Sequence, residues 1–171
     1  MRVLGIDPGS RVTGYGIVEM EANQTHRIAS GVVNIPALPM PQRLKIIFDE
    51  IGAVVREFQP DRMAVEQVFV SRNFDSAIKL SHARAAAICA GVTASLDIDE
   101  YTPRQIKQAI VGSGAADKSQ VQHMVRILTG YKDPMLEDES DALAVALCHC
   151  HTSQTLHHLP HATGFRAGRH R

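Results

Sequence analysis

Four carboxylates, Asp7, Glu66, Asp138 and Asp141, stand where a fold could aim them at one point. Asp7 ends the apolar run Val3-Leu4-Gly5-Ile6 and is followed by Pro8-Gly9. Glu66 ends a second such run, Met63-Ala64-Val65. Asp138 and Asp141 open a segment that continues Ala142-Leu143-Ala144-Val145-Ala146-Leu147. Clustered carboxylates repel one another, so a buried set calls for cations between them. All-oxygen ligation suits Mg²⁺ or Mn²⁺, the metals of phosphoryl chemistry. The chemistry suggested is that of a two-metal nuclease.

Each acid also has a plainer reading. Asp7-Pro8-Gly9 makes an ordinary Asx turn. Glu66 has Arg62 and Arg72 as ion-pair partners nearby in sequence. Asp138 and Asp141, three apart, share a helix face, but acids at a helix start also suit the macrodipole. Glu137 and Glu139 fit that second reading well. Glu137 with Asp141, four apart, is an equally good helical pair, and spacing does not choose between them. Two features favour a site. An Asp at the carboxyl end of a central strand is well placed for one. Gly14-Tyr15-Gly16 lets a neighbouring strand pass close, as where backbone approaches a ligand.

Other residues bear on the same chemistry. Gly112-Ser113-Gly114-Ala115-Ala116-Asp117-Lys118-Ser119 loosely suggests a phosphate loop, but Asp117 occupies the place of the Walker glycine. Lys118 still offers a point charge at a helix start, and Lys107 offers another. Phe69, between Val68 and the Arg72-Asn73 pair, either tucks into the core or stacks on an unpaired base. Cys148-His149-Cys150-His151 invites a zinc reading. Neighbours on a helix lie about 100° apart and the second half of such a site is missing, so these cysteines read as core.

The elements that must position these groups follow from periodicity. Residues 2–7, 14–18 and 27–35 read as an antiparallel meander. Pro36, Pro39 and Pro41 mark a loop, and Leu44, Ile47, Phe48, Ile51, Val54 and Val55 recur at helical spacing through residue 58. The Glu66 strand follows, then a small-residue helix at 74–94, a short strand at 98–101 and a helix from Pro103 to about Val111. Further helices span 117–128 and 138–153. The chain reads as one domain, 1–153, with a loose basic tail at 154–171. At 171 residues and 44% apolar it can bury a core of its own. No apolar run is long enough to span a bilayer and no signal peptide opens the chain, so a cytoplasmic protein is expected. Three cysteines in no paired framework agree with a reducing compartment. The formal net charge is zero, yet Arg104, Lys107, Lys118, Arg126 and Lys132 face only Asp117 in their stretch, and no acid follows Asp141. A basic surface masked by an acidic centre gives such a balance.

Together these motifs resemble the RuvC family of Holliday-junction resolvases. The carriers are Gly5-Ile6-Asp7-Pro8-Gly9 with Gly14-Tyr15-Gly16, Ala64-Val65-Glu66-Gln67-Val68-Phe69, and Asp75-Ser76-Ala77 with Ala83-Arg84. Tyr101-Thr102-Pro103 with Lys107, Asp117-Lys118-Ser119-Gln120-Val121, and Asp138 through Ala144 complete them. The resemblance implies an α/β ribonuclease H-like fold, a mixed five-stranded sheet flanked by helices. It implies a homodimer that nicks a four-way DNA junction symmetrically, leaving 5′-phosphate and 3′-hydroxyl ends. It implies catalytic and metal-binding roles for Asp7, Glu66, Asp138 and Asp141, with two Mg²⁺ (or Mn²⁺) per active site, and so favours Asp138 over Glu137. In that scheme Asp7 bridges the metals, while Lys107 and Lys118 neutralise phosphate charge. Phe69 matches the family's base-stacking aromatic. Arg72, Asn73, Arg84, Arg104, Lys107 and Lys118 are the expected DNA contacts. Leu143 stands where some members have a histidine. The helix at 74–94 is the expected dimer face, and a RuvA-RuvB branch-migration complex the expected partner. Alternatives are a related nuclease acting on structured RNA and a junction-binding module without catalysis. An actin-like ATPase needs a second nucleotide-binding half that 171 residues do not supply.

Overall fold

The computed structural model describes residues 1–22, 24–68 and 73–158. Five strands and five helices follow one another along these residues in the expected order: β1 (Arg2–Asp7), β2 (Val12–Glu21), β3 (Gln24–Asn34), α1 (Met40–Phe58), β4 (Arg62–Glu66), α2 (Phe74–Thr93), β5 (Asp97–Tyr101), α3 (Pro103–Val111), α4 (Lys118–Thr129) and α5 (Glu137–His158). The strands form one sheet in the order β3-β2-β1-β4-β5. β1, β2 and β3 pair antiparallel, and β4 and β5 join parallel to β1, so the sheet is mixed.

Side-chain alternation along each strand divides the core in two. Leu4, Ile6, Ile17, Met63 and Val65 face α1 and α2, where Ile47, Ile51, Ala83, Ala87 and Ala90 meet them. Val3, Val18 and Ala64 face α3, α4 and α5. Asp7 and Glu66 continue the second set, since each lies an even number of residues from Val3 or Ala64. The strand period therefore sends both acids to the α5 side of the sheet.

Local chemistry fixes the helix starts. Thr102 with Gln105, and Asp117 with Gln120, close capping boxes at α3 and α4. Pro103 fills the first turn of α3, as expected. The Asp117-Lys118-Ser119-Gln120 motif is thus a helix cap, in line with rejecting a Walker loop. Pro41, read as loop, lies instead in the first turn of α1, where a residue without an N–H loses no bond. The hairpin of β2 and β3 is longer than its apolar alternation suggested, because its far end is polar and exposed. α5 runs on to His158, beyond the expected end at Ser153. The rest of the expected tail, 159–171, lies outside the described residues, as do Phe69 and Arg72.

Candidate active site

Three elements bring the acids together. Asp7 closes β1 opposite Gly14, Glu66 closes β4, and α5 lays Asp138 and Asp141 across the same end of the sheet. The helix can lie this low because the strands beneath it carry glycine. A Cβ on Gly5 would stand 2.1 Å from the Ala142 carbonyl oxygen, and one on Gly14 2.0 Å from that of Asp138. A Cβ on Gly16 would stand 2.8 Å from the Leu143 side chain. Gly5 and Gly16 are register partners, so they open one shallow seat for α5. The sequence pattern linked Gly14 and Gly16 to a ligand. The backbone approach they permit is that of a helix, the one that carries Asp138 and Asp141.

The acids perturb one another. Burial, followed by the charges of Glu66, Asp141 and Asp138, pushes the Asp7 carboxyl up to about 8. A hydrogen bond with Glu66 adds to the rise. Glu66 is raised by burial and by Asp141, against the opposing pull of the Asp7 hydrogen bond, Lys118 and Lys107. Burial also raises Asp141, with Lys118 opposing. Glu137 and then Asp138 add to the rise at Asp141, and Glu137 has a second neighbour. It stands 64% exposed and is held by the Lys118 ammonium.

Lys118 sits at the first position of α4, with its Nζ 2.8 Å from Asp141 Oδ2. Burial works against its charge, but hydrogen bonds to Asp141 and Glu137 hold its pKa above the ordinary lysine value. Lys107 and Lys118 join Glu66 and Asp141 around a cleft of about 290 Å³ floored by Ile106, Val121 and Ala144. Two expected phosphate neutralisers and two of the acids thus share one cavity.

The donor set is hard carboxylate oxygen, which fits Mg²⁺ or Mn²⁺ and not a soft metal. Among the described residues no three His, Cys, Asp or Glu side chains are already arranged around a metal position. Cys148 and Cys150 are buried free thiols. His149 Nδ1 lies 2.9 Å from the Tyr101 hydroxyl, and His151 Nδ1 3.1 Å from the Ala109 carbonyl oxygen.

The remaining expected contacts are placed as follows. Asn73 caps α2, accepting from the Ser76 N–H. Arg84 donates from Nε to the Glu66 carbonyl oxygen and pairs with Glu100 at 2.7 Å. It therefore ties α2 to the strand end that presents Glu66. Arg104 is exposed beside Gly114, and Arg62 pairs with Asp97 and Asp99 instead of Glu66. On α2, Ala77, Ala83, Ala87 and Ala90 are buried inside the protomer. The outward stripe is instead Phe74, Ile78, Ala85, Cys89 and Val92, all exposed.

Sequence reasoning missed one anchor. Glu139, only 7% exposed, accepts a hydrogen bond from Ser30 Oγ and lies 3.5 Å from Arg27. Its other oxygen accepts the Leu136 N–H. Arg27 in turn stacks 4.1 Å over the Tyr131 ring. This network pins the start of α5 to β3, next to Asp138 in the chain. No signal in the sequence links residues so far apart.

Comparison with known proteins agrees with this architecture. The family profile described as "Crossover junction endodeoxyribonuclease RuvC" matches residues 3–149. A protein of that description from Methylococcus capsulatus is 55% identical over 155 residues, 91% of this chain and 93% of its own length. Thermus thermophilus RuvC, solved in complex with Holliday junction substrate, superposes with a TM-score of 0.85 at 34% identity, covering 91% of this chain and 96% of that one. The yeast mitochondrial Holliday junction resolvase Ydc2 shares the fold, at a TM-score of 0.67 and 10% identity, covering 92% of this chain and 82% of that one. The α/β fold is thus the ribonuclease H-like one.

Proposed function

The chain belongs to the RuvC family of crossover junction endodeoxyribonucleases, and from that premise we propose how its own residues cut a Holliday junction. Asp7, Glu66, Asp138 and Asp141 are the catalytic carboxylates. The observation that carries this assignment is the crowding of Glu66, Asp141 and Asp138 around a buried Asp7, which pushes its carboxyl up to about 8. A site so loaded with acid is built for cations. The four would hold Mg²⁺ (or Mn²⁺), two ions per site. Such ions supply Lewis acidity at the scissile phosphate and a bound water that ionises near neutral pH.

The rest of the work belongs to the protein. The glycine seat under α5 and the Arg27–Glu139 anchor hold the carboxylates in place. Arg84 holds the Glu66 strand end. Lys107 and Lys118, across the cleft, place positive charge beside the phosphate as negative charge grows on it. The products are a 5′-phosphate and a 3′-hydroxyl.

Two nicks in one junction need two centres related by a two-fold axis. The outward apolar stripe of α2 supplies a surface for that dimer. Ile78→Glu, at a position 53% exposed, should leave folding intact and yield a monomer by sedimentation. A dimer that persists removes α2 from the interface. We place the enzyme in the cytoplasm, working with a RuvA-RuvB branch-migration complex. No helix among the described residues is long and apolar enough to cross a membrane.

The deciding assay compares a synthetic four-way DNA junction, a linear duplex and a structured RNA, each with and without Mg²⁺. Mg²⁺-dependent cleavage of the junction alone is expected. Asp7→Asn should bind the junction but not cut it, and undiminished cutting by that variant would remove Asp7 from the mechanism.

A further inference from the structure

Another polar pocket opens at the β1–β2 turn, just past Asp7 in the chain. It is lined by Ser10, Arg11, Leu38, Met40, Arg43, Ser76 and Lys79 and has a volume of about 470 Å³. Its charged lining groups are two guanidiniums and an ammonium, with no carboxylate among the described residues that line it. The nearest acid pairing is loose and solvated: Lys79 Nζ stands 4.0 Å from Asp75, which is 86% exposed. Arg43 is fixed in place, donating from Nε to the Leu38 carbonyl oxygen at 2.6 Å and from Nη1 to that of Ser10 at 3.4 Å. The turn that presents Ser10 and Arg11 is pinned as well. The fully buried Thr13 hydroxyl accepts the Gly9 N–H and donates to the Gly9 carbonyl.

We propose that this pocket binds the sugar-phosphate backbone of the same DNA strand that the catalytic acids cut, on the side away from Lys107 and Lys118. The proposal rests on reading the chain as a junction nuclease and adds a phosphate-holding site to it. Three like charges around one hollow repel each other, and a polyanion is the partner that relieves them. Serine hydroxyls beside them add donors suited to phosphate oxygens.

The position sets which phosphates are held. Ser10 is three residues past Asp7, so their Cα atoms are at most about 11 Å apart. Phosphates follow one another at about 3.4 Å of helical rise per strand, which puts the pocket within roughly three phosphates of the scissile one. The cleft with Lys107 and Lys118 is built from α3, α4 and α5, whereas this pocket is built from the β1–β2 turn, α1 and α2. Those helices cover opposite faces of the sheet. A strand crossing the carboxylate end of the sheet over Asp7 is therefore gripped on both flanks. That arrangement orients the scissile phosphate, a role separate from the chemistry at the acids.

Arg11 and Lys79 test it, because both are exposed and neither belongs to the catalytic set. Junction affinity is measured between 50 and 200 mM salt for the full-length chain, for R11A/K79A and for the charge-retaining R11K/K79R. Removing one phosphate-binding cation should flatten the log–log salt slope by about 0.7–0.9, so the alanine pair should flatten it by about 1.5. The charge-retaining pair should keep the wild-type slope. An unchanged slope for R11A/K79A, or the same flattening in R11K/K79R, overturns the proposal. Wild-type cleavage of the junction, run alongside, tests the parent reading independently: its loss would sink the nuclease, whereas an unchanged slope with cleavage intact sinks the pocket alone.

Discussion

Replacing Asp7 by Asn should stabilise the metal-free protein while abolishing its catalysis. The folded carboxyl is raised from 3.8 to about 8, so between those values the native state holds a proton that the unfolded state has released. Stability accordingly falls as pH rises through that window, and no such penalty exists below it. At pH 7 the displacement covers about three pH units, and each is worth about 1.4 kcal/mol, giving about 4 kcal/mol. The proton is shared with Glu66, which takes up part of the penalty, so about 2–4 kcal/mol is expected for Asp7→Asn. For a chain of this size that is a gain of about 5–15 °C in Tm. At pH 5 the gain should shrink to about 1–2 kcal/mol. The assay is thermal unfolding in EDTA at pH 5, 7 and 8, repeated with Mg²⁺. Wild type should rise in Tm with Mg²⁺ by mass action, and the variant should respond far less. A variant less stable than wild type at pH 8 in EDTA would refute the reasoning. So would a gain equal at pH 5 and pH 8.

Other expectations follow from the surroundings of the acids. Glu139→Gln keeps the shape of the α5 anchor but removes the charge facing Arg27. Single-turnover cleavage should fall about tenfold, with junction affinity unchanged, because displacement of Asp138 affects only the reacting geometry. Gly5→Ala puts a Cβ 2.1 Å from the Ala142 carbonyl oxygen and should destabilise the fold by about 3 kcal/mol or more in denaturant titration. Lys118→Ala should lower cleavage about 100-fold at saturating metal. It should also tighten apparent Mg²⁺ affinity, since Asp141 is freed from an ammonium 2.8 Å away.

Much of this protein was legible one segment at a time. Short apolar runs located β1 and β4, helical spacing located α1, and Thr102-Pro103 and Asp117 marked the starts of α3 and α4. Asp7 and Glu66 stood out because a charge ending an apolar strand is costly without a partner. The end of the last helix was placed too early because α5 continues through residues that carry no periodic signal. The helix at 74–94 was read as the dimer face; burial places its Ala77, Ala83, Ala87 and Ala90 in the protomer's own core, while Phe74, Ile78, Ala85 and Val92 face outward.

By itself, then, the sequence determined what neighbours along the chain determine: which segments become strands or helices, where the carboxylates fall on them, and which family they match. The tertiary structure decided what depends on contacts between distant segments. It set Lys118 against both Glu137 and Asp141 and crowded Glu66, Asp141 and Asp138 around Asp7. It turned Arg84 toward the Glu66 carbonyl and Glu139 toward Ser30 and Arg27, and it explained Gly5, Gly14 and Gly16 as the seat of a helix. Periodicity reports which side of an element a residue occupies. Only packing reports what stands opposite, and a carboxylate's role is set by the charge it meets there.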